Sequence, residues 1–543
     1  MDADSKAPGL SIAEQAAFLL TGRRKGKQLL LAGSRYNRTL IIRADANTRI
    51  GTGHLMRCLA LAQAWREHGG GAVFVTACNN PVLKQRLWNE GFDVVEIQYA
   101  HPDPTDLKTT MNVLAVHPGA WLVLDGYHFD STYQRLVKEA GHQLLVIDDM
   151  AHLDRYYADI VLNQNIHAHN LHYFCEPYTR LLLGTKYVLL RREFWPWRNY
   201  KREVPEVAKK VLVTMGGSDP DNVTLKVVQA LAQIDIPDLE AVVVVGPSNP
   251  HKETLRRTAE SSPLPISLVE NVENMPKLMA RADVAVSAGG TTVWELLFLG
   301  VPTLVLPIAD NQREIMGILT EWGFVDGVNQ HPDATGIDVN SLILKRAQHI
   351  ILDNRIRTLL ALRGRQLVDG RGVLRVAEAL MGQTRKDIHL RPVFPEDCSL
   401  LWEWANDPVV RACSFSSESI PWTQHRKWFQ SRREDPDTVH FIVTNEESSP
   451  IGQVRFDIHS IKAEISLSLC APFRGRGLAT KLIRLAVGEF FRITPSVVTV
   501  QAYVKPTNQV SIRAFEKAGF RRQGIEVARS GQVAVHLSLA RGS

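Results

Sequence analysis

His54 follows two glycines in the stretch "RADANTRIGTGHLMRC" (residues 43–58), and there the sequence first suggests chemistry. The stretch reads as a strand end, a glycine turn and a helix start. Gly51 and Gly53 let the backbone approach a ligand closely, and a helix from about Leu55 turns its positive end toward the turn. An imidazole at that end is disfavoured in its charged form and can accept a proton. A histidine that merely caps a helix beside a structural turn would look the same locally.

Three further turns carry comparable signals. In "MGGSDPDN" (215–222), Gly216, Gly217 and Ser218 can present amides to a diphosphate, with Asp219 or Ser218 capping the next helix. A plain strand-to-helix turn is the alternative. In "SAGGTTVWELLFLGVPTLVLPIADNQ" (287–312), a strand ends in Gly289-Gly290 and Thr291 or Thr292 caps a helix. The Glu295 carboxylate in that helix can accept both hydroxyls of a ribose, although an acidic residue near a helix start is favoured anyway. Asp310-Asn311-Gln312 then opens another helix. In "LSLCAPFRGRGLATKLI" (467–483), the strand leads into Arg474-Gly475-Arg476-Gly477-Leu478-Ala479 and a helix. Successive amides there suit a pyrophosphate, and a generic glycine turn is again the alternative. The histidines of "HAHNLH" (167–172) have no carboxylate nearby and read as surface-loop residues, so no metal is expected.

Each turn needs a strand before it and a helix after it. From "TLIIRAD" (39–45), apolar runs alternate with amphipathic stretches: "GAVFVTA", "DVVEI", "WLVLDGY", "QLLVIDD" and "DIVLNQN" read as buried strands. The alternation predicts a parallel sheet with helices on both faces. "RREFWPWRNYKREVPEVAKK" (191–210) reads as a domain junction. The pattern restarts with "KVLVTMGG", "EAVVVVGP", "PISLVEN", "ADVAVSAGG" and "VPTLVLPI", a second doubly wound unit. Ligands of such sheets sit beyond the carboxyl ends of the strands, so the cleft between two units is the expected place. After "VDGRGVLRVAEALMGQTRKD" (368–387) the order changes to a strand, two Trp-rich helices, and the strands "HFIVTN", "PIGQVRFDI" and "AEISLSLC". A glycine turn, a helix, "VVTVQAYV" and a last helix follow. The expected divisions are an extension (1–38), two α/β domains (39–203 and 204–385) and an α+β domain (386–543). The segments flanking the linker near 380–388 each carry a hydrophobic pattern and are expected to fold alone.

The 543 residues are 45% apolar and 22% charged, which is ordinary for a globular protein with real cores. The net charge of +6 suits anionic small molecules no less than nucleic acid, and "GRRKGK" (22–27) reads as a solvated arm. The six cysteines form no CxxC pair, which fits a reducing, cytoplasmic compartment. "AEQAAFLL" is too short to span a bilayer. Neither a nucleic-acid nor a membrane partner is expected, and the oligomeric state is open.

"RADANTRIGTGHLMRCLALAQ", "GGSDPDN" and "SAGGTTVWELLFLGVPTLVLPIADNQ" together resemble the UDP-sugar hydrolases of pseudaminic acid biosynthesis, over roughly residues 39–385. Three separated motifs agree in order and spacing. That family removes UDP from UDP-2,4-diacetamido-2,4,6-trideoxy-β-L-altrose, and its fold is similar to the two-Rossmann GT-B glycosyltransferases, including the one that makes lipid II. The resemblance implies His54 as general base on water, with Tyr127 of "DGYHF" and Asn311 of "DNQ" beside the reacting sugar. It implies Glu295 on the ribose and Gly216, Gly217, Ser218 and Asn222 at the diphosphate. Gly51, Gly53, Arg57, Gly290, Thr291 and Gln312 complete the expected substrate-binding set. A base on one face and UDP on the other implies inversion at the anomeric carbon, with no metal required.

Residues 386–540 resemble the GNAT acyl-CoA N-acetyltransferases, through the Arg474–Ala479 loop and "YVKPTNQVSIRAFEKAGFRRQG" (503–524). The family holds acetyl-CoA between two splayed strands, here near 464–470 and 497–504. That implies Leu469, Arg474, Gly475, Arg476, Gly477, Leu478, Ala479 and Asn508 as its binding residues. Many members use a helical tyrosine as acid to the thiolate, but here the position is Phe515. Ser511, Tyr503 or solvent could serve instead, and Glu464 could take the amine proton or could simply face solvent. The whole-chain expectation is a bifunctional enzyme that acetylates a UDP-4-amino sugar and then hydrolyses the product. A glycosyltransferase with an accessory acetyltransferase, or a non-catalytic sensor of sugar nucleotide and acyl-CoA, are the other readings.

Overall fold

The structure, a computed structural model, describes residues 38–47, 51–328, 339–382, 388–445, 449–475, 477–527 and 531–542. The N-terminal extension up to residue 37, Arg476 and the side chain of Asn311 lie outside the described residues. Contacts divide the chain into two compact units, 1–192 with 371–382 and 193–370 with 383–543.

The first unit is built on a parallel seven-stranded sheet. Its order is Asp93–Glu96, Gly71–Thr76, Thr39–Ala44, Trp121–Asp125, Gln143–Ile147, Ile160–Asn163 and Arg180–Leu183. Its central strands are continuous apolar runs because helices cover both faces, and Trp121–Asp125 is buried at all five positions. The chain reverses direction across the sheet between Thr39–Ala44 and Trp121–Asp125, which are neighbours. The turn before helix Gly53–Glu67 and the residues after Asp125 therefore emerge together at the carboxyl edge. Helix Gly372–Leu380, late in the chain, packs on helix Gly53–Glu67, and Arg375 Nη1 donates to the Lys186 carbonyl at 2.7 Å.

The second unit holds two sheets. One is parallel and six-stranded, in the order Ile266–Glu270, Glu240–Val245, Lys210–Thr214, Val284–Ala288, Thr303–Leu306, Asp326–Gly327. The other runs His389–Pro392, Thr438–Thr444, Pro450–His459, Lys462–Leu469, Thr499–Val504, Val533–Ala540, Arg521–Val527. Its pairs are antiparallel except Lys462–Leu469 with Thr499–Val504. The sequence reading missed Arg180–Leu183, Asp326–Gly327, Arg521–Val527, Val533–Ala540 and the short helix Pro408–Cys413.

The core of the C-terminal segment also receives side chains from before residue 386. Helix Asn354–Leu367 serves two cores, with Leu360 in that of the six-stranded sheet and Leu362 packed against that of the antiparallel sheet. Arg365 and Arg492 exchange hydrogen bonds, each guanidinium donating to the other's carbonyl at 2.5 and 2.6 Å. Trp322 stacks on Phe394 at 4.3 Å.

Candidate active sites

Helix Gly53–Glu67 places His54 and Arg57 three residues apart, on one face. The imidazole caps nothing. Its Nδ1 lies 2.6 Å from Asp125 Oδ1, at the end of the neighbouring strand. Facing a carboxylate, Nδ1 holds the proton and Nε2 is left as the acceptor. Arg57 grips the same carboxylate through Nε and Nη2 at 2.6 and 2.7 Å, and reaches Asp149 Oδ2 with Nη1 at 2.7 Å. Burial works to raise the Asp125 pKa, but Arg57 and His54 outweigh it and hold the carboxyl well below the usual range. The guanidinium is itself held above its ordinary value, the two carboxylates overcoming burial.

Tyr127 closes the group. Its ring meets His54 edge-on at 5.1 Å, and its hydroxyl donates to Asp149 Oδ2 at 3.0 Å. Burial, then Asp149, pushes its pKa up, so it stays a neutral donor. Asn165 Nδ2 donates to the other Asp149 oxygen at 2.7 Å. Thus His54, Arg57 and Tyr127 are brought together, with Arg57 serving as the brace between two acids. Gly51 adopts φ +73°, and its amide donates to the Asn47 carbonyl at 2.9 Å, which closes the turn ahead of Gly53 and His54. Asp125, Asp149 and Asn165 escaped the sequence reading. The available signal was an acidic or amide residue at or just after the carboxyl end of each apolar strand. The expected surface histidines are corrected in part: His167 is buried, while His169 and His172 are exposed. Among the described residues, no cluster of three His, Cys, Asp or Glu could hold a metal.

In the second unit, Gly216 takes φ +80° and leads through Gly217 and Ser218 to Asp219. Gly246 packs so tightly beneath that a Cβ would stand 2.3 Å from the Gly216 carbonyl oxygen. Asp219 is the capping residue, accepting from the Val223 and Thr224 amides at 2.8 and 2.9 Å. Asn222 sits at the helix start with φ +51°. Gln312 Oε1 accepts from the amides of Gly289 and Ile308 at 3.1 and 3.2 Å, tying together the loops after two adjacent strands. Gly290 lies beside that amide. Thr291 stands at the N-cap of helix Thr292–Phe298 without a side-chain cap, and Glu295 is buried in the first turn. Asn311 lies in helix Asp310–Glu321.

The antiparallel sheet opens where acetyl-CoA is expected. Strands Lys462–Leu469 and Thr499–Val504 pair from Lys462–Thr499 to Glu464–Gln501, and both continue beyond the last pair. Ahead of helix Leu478–Ile493, Gly475 and Gly477 adopt φ +72° and +74°, and a Cβ on either would meet nothing within 4 Å among the described residues beyond its chain neighbours. Leu478 and Ala479 begin that helix. Arg474 is engaged as a brace, donating to the Leu469 carbonyl at 2.8 Å and pairing with Asp407 at 2.9 Å. Asn508 Oδ1 accepts from the Ser511 amide at 3.1 Å and caps helix Gln509–Ala518. Phe515 is buried in the core, edge-on to Phe520. Tyr503 lies on the other face, stacked on His536.

The fold is α/β, with two parallel Rossmann-type sheets and a third, mostly antiparallel sheet. The family description "Acetyltransferase (GNAT) domain" matches residues 387–521, and "Glycosyltransferase family 28 C-terminal domain" matches 211–317. An uncharacterized protein of Methanocaldococcus jannaschii is 25% identical over 89% of this chain and 96% of its own. The UDP-2,4-diacetamido-2,4,6-trideoxy-β-L-altropyranose hydrolase of Campylobacter jejuni is 26% identical over 52% of this chain and 97% of its own. A Helicobacter pylori protein that joins pseudaminic acid cytidylyltransferase to the same hydrolase is 31% identical over 35% and 34%. The chain is therefore a fusion of a segment similar to these hydrolases with a GNAT acetyltransferase domain. No helix among the described residues is long and apolar enough to cross a membrane.

Proposed function

We propose that the chain catalyses two consecutive steps on one sugar nucleotide. Acetyl-CoA acetylates the 4-amine of a UDP-4-amino-4,6-dideoxy-N-acetyl-altrosamine. Hydrolysis of the product, UDP-2,4-diacetamido-2,4,6-trideoxy-β-L-altropyranose, then releases UDP with inversion. The observation that carries the hydrolytic step is the His54–Asp125 pair at 2.6 Å. His54 Nε2 takes a proton from water as its oxygen attacks the anomeric carbon, and the bond to the UDP oxygen breaks. Asp125 holds the tautomer and offsets the imidazolium charge. Tyr127 and Asn311 border the sugar. Gly216–Ser218 and Asn222 serve the diphosphate, with Gly290, Thr291 and Glu295 on the nucleoside side. UDP is a good leaving group, so charge stabilisation matters more there than a strong acid. In the GNAT domain the Leu469 strand, the Arg474–Ala479 loop and Asn508 hold acetyl-CoA.

Mass spectrometry of a UDP-sugar incubation without an acceptor tests the first reading. Free sugar and UDP support hydrolysis, turnover only with an acceptor points to a glycosyltransferase, and no turnover points to a sensor. His54→Ala should lower kcat by about two to four orders of magnitude while UDP still binds.

A further inference from the structure

The core of the antiparallel sheet takes Val500, Ala502, Val504, Val535, Leu537 and Phe515. By strand alternation, Gln501, Tyr503 and His536 stand on the opposite, polar face. Tyr503 and His536 are paired across adjacent strands, and their rings stack at 4.8 Å and 12°. Tyr503 comes two residues after Gln501, whose partner Glu464 makes the last pair before the strands part. Tyr503 therefore flanks the opening, with His536 one strand further. The core closes the other face, so an acceptor reaches a thioester seated between the strands from the polar side.

His536 is buried, with Nδ1 2.9 Å from Glu526 Oε1 and Nε2 3.1 Å from Gln501 Nε2. An amide nitrogen only donates, so Nε2 carries a lone pair and Nδ1 holds the proton toward Glu526. That is the tautomer a general base requires, and Phe515 offers no proton-transfer group.

Resting on the acetyltransferase reading above, we propose that His536 is the base that deprotonates the acceptor ammonium, with Glu526 as its positioning residue. The acceptor ammonium replaces the Gln501 amide as the donor to Nε2, its N–H bond breaks and the proton passes to Nε2. The freed lone pair attacks the thioester carbon, the C–N bond forms, and the C–S bond breaks to release the CoA thiolate. Of the two protons that the nitrogen sheds, one ends on the thiolate sulfur and the other leaves through His536 to solvent. The groups facing the imidazole are Tyr503 and Gln501 from one neighbouring strand and Glu526 from the other, with Glu464 beside Gln501.

The test uses the full chain, acetyl-CoA and the UDP-4-amino sugar, following CoA release from mildly acidic to alkaline pH. His536→Gln should lower kcat/KM about 10²–10⁴-fold at neutral pH. CoA affinity should be unchanged, and the deficit should shrink as alkaline solvent supplies the free amine. Glu526→Gln, which leaves the imidazole in place, should show a smaller deficit with the same trend. A deficit that is constant with pH, or no deficit, overturns the assignment. So does a pH-rescued loss in Glu464→Gln while His536→Gln stays active. A wild-type chain that binds CoA but acetylates no sugar amine refutes the acetyltransferase reading, and the assignment with it, an outcome separate from a silent His536 variant.

Discussion

Replacing Asp125 with asparagine keeps the shape of the side chain and removes its charge, which isolates what the carboxylate does. Asp125 is fully buried, accepts a hydrogen bond from His54 Nδ1 at 2.6 Å and holds Arg57 through both oxygens. An asparagine can face Nδ1 with its amide oxygen, which keeps the tautomer but leaves the imidazolium without a counter-charge. It can instead face Nδ1 with its NH2, which moves the ring proton to Nε2 and abolishes the acceptor. The equivalent exchange in a serine protease triad costs about 10⁴ in kcat. A comparable loss, about 10³–10⁴, is expected here because water also needs the base. Breaking a buried ion pair costs about 3–5 kcal/mol. Arg57 keeps Asp149 at 2.7 Å, so the lower end of that range applies to folding. The assay is UDP release at saturating substrate, well below the variant's Tm, with UDP titration as a check on the second unit. KM should move only a few-fold. A folded Asp125→Asn chain with kcat within about tenfold of wild type would refute the base assignment. A loss confined to KM would make Asp125 a builder of the pocket and not a partner of the base.

Glu295→Ala should weaken UDP binding by about 1.5–3 kcal/mol if the carboxylate accepts the ribose hydroxyls, and calorimetry showing unchanged affinity would return it to a helix-dipole role. Gly477→Val should abolish acetyl-CoA binding, because φ +74° is strained for a β-branched residue and the side chain would enter the open loop; intact binding would remove the loop from the site. A 193–543 chain should melt above a 386–543 chain, and Leu362→Ala should cost about 2 kcal/mol in the acetyltransferase core; equal melting of the two chains would show that segment to be self-sufficient. Burial pushes His440 down to about 3, against about 6.5 when unfolded. Its folded pKa is depressed, so its contribution is complete above about pH 6.5 and is lost as pH falls, by roughly 2 kcal/mol at about pH 5. His440→Gln should flatten that acid slope in melting curves, and an unchanged slope would exclude His440 as its source.

The parallel strands were legible because helices on both faces turn them into continuous apolar runs, as in "WLVLD". Arg521–Val527 was not, since it is an exposed edge strand in which Arg521, Arg522 and Gln523 mask any alternation. The same contrast governs the sites. A glycine turn is a local signal, so His54 could be read from its neighbours. Asp125 acquires its role only because its strand lies beside Thr39–Ala44, although 71 residues separate it from His54. Asp149 and Asn165 follow the next two strands and converge for the same reason, since a parallel sheet delivers its carboxyl ends to one edge. Arg57 shows the cost of local reading in the other direction. Beside a phosphate-type turn, a basic residue suggests an anion from solution. Once its helix is buried, however, a guanidinium must find its counter-charge within the protein, and two strand-end carboxylates meet that requirement. The positive end of the helix and the charge of Arg57 are thereby set against Asp125 and Asp149. The two carboxylates outnumber Arg57 by one charge, which the helix end offsets in part and which favours an imidazolium, and the uncommitted nitrogen of His54 is left as the group that can respond to a substrate.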